Sequence, residues 1–119
     1  MKTNQHYKEG FSKNNEVKIF YRDYGPEDGD PILMVHGLGA QLVHWPQHLI
    51  NFLQENNFRP ITYDNRDVGL SSRFFNTPSF VLDYIKYFFR LPIKSEYKID
   101  DMADDGIKLL ETLKIKKAH

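Results

Sequence analysis

The residues His36-Gly37-Leu38-Gly39 follow directly on the apolar run Ile32-Leu33-Met34-Val35. A backbone cleared of side chains on both sides of Leu38 is suited to acyl-transfer chemistry. Ester hydrolysis builds a tetrahedral oxyanion, and a rigid N–H donor aimed at it lowers the barrier by roughly 3 to 4 kcal/mol. The same residues also make an ordinary glycine-rich turn after a buried strand. His36 could serve as a general base only with a nucleophile within hydrogen-bond reach. The chain has no cysteine and no Gly-x-Ser-x-Gly, and the nearest approach, Gly69-Leu70-Ser71-Ser72-Arg73, lacks the second glycine. His36 is therefore assigned a supporting hydrogen bond.

Other constellations carry less. His44 and His48 have the i, i+4 spacing of a helical metal pair, but Pro46 between them starts the helix and leaves His44 outside it. Asp64, Asp67 and Gly69 faintly suggest a calcium loop, yet Arg66 and Val68 occupy positions that should supply oxygen ligands. Arg66 is expected to tie this loop down by pairing with Asp64 or Asp67. Asp100-Asp101-Met102-Ala103-Asp104 spells a magnesium–diphosphate pattern, but with strands upstream the four acids Asp100, Asp101, Asp104 and Asp105 read as favourable charge at a helix start. No metal and no cofactor is expected. The aromatic segment Phe80 to Lys94 suits a wall of a site entrance, plain surface packing, or a membrane-surface element.

The elements that must position these groups follow from composition and period. Of 119 residues, 40% are hydrophobic, enough for a globular core, and 16 basic residues balance 16 acidic ones. That balance supplies no field for nucleic acid or anionic lipid, so a small, roughly neutral ligand is the expected partner. No apolar run follows the N-terminus and none is long enough for stable membrane insertion, so a cytoplasmic protein is expected. Val17, Ile19 and Tyr21 alternate onto one face after the turn residues Asn14-Asn15, giving a hairpin that ends at Tyr24. Gly25 to Asp30 is turn chemistry, and Ile32 to Val35 is apolar on both faces, as in a central parallel strand. Pro46 opens a helix carrying Leu49, Ile50, Phe52 and Leu53, and Phe58 to Tyr63 forms the next strand. Strand, helix and strand in this order give an α/β class with a parallel sheet. From Ile99, Met102, Ala103, Gly106, Leu109, Leu110 and Leu113 make the apolar stripe of a further helix. No linker or repeat marks a second domain.

Taken together, Leu33-Met34-Val35-His36-Gly37-Leu38-Gly39-Ala40-Gln41, then Tyr63-Asp64-Asn65-Arg66-Asp67-Val68-Gly69-Leu70-Ser71-Ser72, then Asp100 to Asp105 and Lys117-Ala118-His119, resemble the α/β-hydrolase superfamily. Within it they are most similar to the aclacinomycin-methylesterase-like esterases. The resemblance covers nearly everything after Glu16. It implies the N-terminal portion of an α/β-hydrolase fold, a hairpin then parallel strands with crossover helices, with residues 1–119 an incomplete domain truncated before the nucleophile strand. It implies a serine hydrolase acting on carboxylic esters, with the Leu38 N–H as one oxyanion-hole donor. His36, Gly37, Gly39, Asp64 and Arg66 would support the loops. The serine, acid and general base would lie in the missing C-terminal part of the domain, which is the expected partner, and this chain alone would be inactive. The truncation would also leave the strand Ile32 to Val35 as an unpaired edge. Rivals on the same fold are epoxide hydrolases, which tend to have Pro where Gly39 stands, and dehalogenases, which tend to have Asn or Glu after the His-Gly pair. A non-catalytic remnant acting by binding is a rival of another class. Two positions depart from the family pattern: Lys98 replaces the usual Thr or Ser helix cap, and Pro60 interrupts a strand.

Overall fold

A computed structural model describes residues 6–37, 39–73, 85–90 and 97–119. The chain forms β1 (Lys8–Asn14), β2 (Val17–Asp23), β3 (Asp30–Met34), a 3-10 turn (Leu42–His44), α1 (Gln47–Glu55), β4 (Phe58–Tyr63) and α2 (Ile99–Thr112). The strands make one sheet in the order β1-β2-β4-β3, with β3 and β4 parallel and the other neighbours antiparallel. The hairpin, the parallel pair and the helix that crosses between them are thus as expected. Asn15, at φ +55°, occupies the left-handed conformation that asparagine tolerates, and the register sets Asn14 opposite Val17.

Alternation along the strands divides the core between the two faces. Val17, Ile19, Ile61 and Tyr63 pack with Leu109 of α2, and Leu33, Leu110, Leu113 and Ile115 close around them. On the opposite face, Tyr24, Met34 and Ile50 pack with Trp45, Leu49 and Leu53. Phe52, expected in the apolar stripe of α1, is exposed, because the helix turns only Leu49, Ile50 and Leu53 inward. Pro46 stands one residue earlier than expected, as the N-cap of α1.

Pro60 lies at the third residue of β4, in the interior of the sheet, and the physical reason it is tolerated is visible. The Tyr24 N–H donates to the Pro60 carbonyl at 3.0 Å, continuing the antiparallel register of β2 past Asp23 and Ile61. The reciprocal donor, the N–H of residue 60, does not exist. Gln54 of α1 supplies it instead, its Nε2 donating to the Tyr24 carbonyl at 2.7 Å.

α2 begins without a Ser or Thr cap. The Lys98 N–H is satisfied by Asp101 Oδ2 at 2.6 Å, the returning half of a capping box. The helix ends in a left-handed Lys114, with Ile115 N–H donating to Leu110 O and Lys114 N–H to Glu111 O, the Schellman pattern. The chain then returns to the sheet. His119 N–H donates to Pro31 O at 2.9 Å and Leu33 N–H donates to His119 O at 2.8 Å, the alternation of a parallel ladder. The outer edge of β3, expected to be unpaired, is therefore occupied at its start, while Val35 just beyond the strand is exposed.

Candidate active-site loop

The loop that leaves β3 at its carboxyl end rises between two anchors. At the first, Asn65 Nδ2 donates a long 3.5 Å hydrogen bond to the His36 carbonyl. At the second, Asp64 Oδ1 accepts the Leu42 N–H at 2.8 Å. Between them Ala40 N–H reaches Gly37 O at 3.3 Å, and Gln41 N–H donates to His44 Nδ1 at 2.9 Å. Gly39 adopts φ +78°, a conformation that favours glycine, whereas a Cβ on Gly37 would meet nothing within 4 Å. Leu38, the expected donor, lies outside the described residues. So does most of the segment Phe80 to Lys94, of which residues 85–90 are described.

The His36 ring lies against Trp45, with centroids 4.6 Å apart and planes inclined at 31°. Its Nε2 is buried without a partner among the described residues. Burial first, and then the proximity of His44, lower the imidazole below its ordinary value of 6.5, with Asp64 opposing weakly. His36 therefore favours the neutral form here.

Asp64 is buried at the centre of the second motif. Its carboxylate accepts the Leu42 and Leu70 N–H groups, its own N–H donates to Phe20 O, and its carbonyl accepts Ser71 Oγ at 2.5 Å. Ser71 Oγ in turn accepts the Phe20 N–H, and Ser72 Oγ the Lys18 N–H, so this loop lies along the part of β2 that β4 does not reach. Gly69, at φ +53°, is required twice over, because a Cβ there would overlap the Asp64 carboxylate.

Arg66 was expected to pair with Asp64 or Asp67. Its buried guanidinium forms a two-point pair with Asp105 of α2, Nε to Oδ2 at 2.7 Å and NH2 to Oδ1 at 2.8 Å, a partner that expectation did not include. Asn14 Nδ2 also donates to Asp105 Oδ1 at 3.0 Å, and the Tyr97 ring lies 5.0 Å from the guanidinium carbon. The Asp105 hydrogen bond is the main cause that raises Arg66 above its ordinary value. Asp105 is consequently no helix-start acid, since it stands in the second turn and joins the hairpin, the β4 loop and α2. The sequence carried a signal for this: Asp105 interrupts an otherwise apolar face between Met102 and Leu109. Asn65 and Leu42 carried none.

His44 and His48 fall in the 3-10 turn and in α1, and the described residues hold no cluster able to bind a metal. Nor does any described helix have the length and apolarity to cross a membrane. Beside the loop, a hollow of about 570 Å³ opens at the carboxyl ends of β3 and β4, bordered by Val35, His36, Gly39, Tyr63, Asn65 and Met102 among others. The Tyr63 hydroxyl at its floor is raised by burial and, secondarily, by Asp105. A crevice at the carboxyl ends of parallel strands is where open α/β sheets bind ligands.

Fold and motif agree with comparison to known proteins. Residues 30–119 match the family model described as the alpha/beta hydrolase fold, and the chain belongs to that family. Over 107 residues it is 27% identical to a non-heme chloroperoxidase of Burkholderia pyrrocinia, covering 90% of this chain and 31% of that protein. It is 26% identical over 106 residues to a rhodomycin D methylesterase of Streptomyces peucetius, covering 89% and 30% respectively. Among solved structures it resembles a bromoperoxidase from Bacillus anthracis with TM-score 0.67 and 26% identity, over 93% of this chain and 33% of that one. The chain thus spans about a third of the length of the relatives it matches.

Proposed function

We propose that the protein is a carboxylic-ester hydrolase of the serine type, in which the His36–Gly39 loop supplies one backbone oxyanion donor, the Leu38 N–H. The observation that carries this reading is the placement of that loop at the carboxyl end of β3, beside a largely apolar hollow. An apolar pocket bordered by few polar groups suits a small neutral ester. Similarity to a methylesterase supports the substrate class. On this reading the nucleophile, acid and general base lie outside residues 1–119 and these residues alone do not turn over esters. They contribute the donor and one wall of the pocket.

Leu38→Pro removes the N–H while leaving much of the pocket in place. In the full-length protein it should lower kcat on a short-chain p-nitrophenyl ester by at least ~10²-fold with a smaller change in KM. Leu38→Ala, which keeps the backbone donor, should retain kcat to within a few-fold. A folded Leu38→Pro protein with undiminished kcat removes Leu38 from this role.

A further inference from the structure

Among the described residues of the loop from His36 to Leu42, the internal backbone bond is the 3.3 Å contact of Ala40 with Gly37, and Gly39 adds conformational freedom. The geometry of the loop is therefore set at its ends. The near end is covalently fixed by β3. The far end, where the chain turns into the 3-10 segment, is gripped by the carboxylate of Asp64 through the Leu42 N–H, across 22 residues of sequence.

Asp64 is itself rigidly placed. Its backbone is bonded on both sides to β2 and Ser71, and its second carboxylate oxygen takes the Leu70 N–H at 3.1 Å. The carboxylate has room only because residue 69 is glycine. A charged acceptor makes shorter and stronger bonds to N–H groups than a neutral one, so this contact is well suited to fixing a loop end. We propose that Asp64 is a positioning residue, which fixes the far end of the loop after β3, where the 3-10 turn begins, by clamping the Leu42 N–H. This inference rests on the ester-hydrolase reading for its catalytic consequence, and on the Asp64 contacts alone for its structural part.

Asp64→Asn is nearly isosteric but must turn an NH2 toward one of the two N–H donors. In the full-length protein, residue-resolved hydrogen exchange should show the Leu42 amide protected in the wild type and at least about tenfold less so in the variant. Steady-state kinetics on a short-chain p-nitrophenyl ester should show kcat falling by about tenfold or more with KM within about twofold, the pattern of a misaimed transition-state contact. Arg73→Ala is the control. It breaks the Arg73 bonds to Asp67 O and Gly69 O on the same loop without touching Leu42, so it should leave kcat and Leu42 exchange unchanged. Should Asp64→Asn not fold, Asp64→Glu, which keeps the charge but shifts it by one methylene, carries the same expected fall in kcat. A wild-type Leu42 amide that exchanges as fast as open chain overturns the clamp, as does an active Asp64→Asn protein with unchanged kcat. A wild type that turns over no ester, yet protects Leu42 in an Asp64-dependent way, keeps the clamp and discards the ester-hydrolase reading.

Discussion

On the face of the sheet covered by α2, the buried Arg66 and Asp105 are paired, Asp105 also accepts from Asn14, and Val17, Ile19, Ile61 and Leu109 form the core cluster. Under α1 the cluster is smaller, and the buried Thr62 Oγ1, His36 Nε2 and Trp45 Nε1 have no partner among the described residues. Thr62 alternates with Ile61 and Tyr63 and so turns to this second face. The difference shows that burial alone does not decide what a polar group costs. A paired charge can be held inside at little net expense, yet stripping its partner is severe, whereas an unpaired hydroxyl already carries its desolvation cost in the native state.

Three substitutions test that contrast, each read by urea unfolding of the full-length protein. Asp105→Ala should be the most damaging, at about 3 to 5 kcal/mol, because it takes the two-point carboxylate away from the buried Arg66 charge. A loss below about 1 kcal/mol would mean that water reaches Arg66 and that the α2 face is no drier than the other. Gln54→Leu should cost about 1 to 3 kcal/mol, since the Tyr24 carbonyl then loses the donor that replaces the missing Pro60 N–H. If Gln54→Leu is neutral, Tyr24 O is solvated and the gap in the ladder needs no substitute. Thr62→Val should stabilise by roughly 1 kcal/mol, because a fully buried hydroxyl without a partner among the described residues is exchanged for a methyl group of similar shape. A destabilised Thr62→Val protein would reveal an ordered water on that hydroxyl and narrow the difference between the faces.

The positions most readily read from sequence were those governed by local period. Val17 and Ile19 alternate onto the buried face, and Leu109, Leu110 and Leu113 follow the helical stripe that packs there. Two local rules reached too far. The clustering of Asp100, Asp101, Asp104 and Asp105 suggested a shared role at the helix start, yet Asp101 caps the helix and Asp105 is buried one turn further on. Proximity in sequence suggested Asp64 or Asp67 for Arg66, while the Asp64 carboxylate is engaged with backbone donors and the fold brings the Asp105 carboxylate from α2.

The amino-acid sequence by itself determined the order and type of the elements, the faces they bury, and the glycine-flanked loop after β3, because each depends on residues a few positions apart. Only the tertiary structure decided which polar groups meet: Leu42 with Asp64 across 22 residues, Tyr24 with Gln54 across 30, and Arg66 with Asp105 across 39. Periodicity tells which side of an element is buried. It does not tell which donor will stand opposite which acceptor once the elements pack, and in this protein the first of those pairings fixes one end of the loop proposed to do the chemistry.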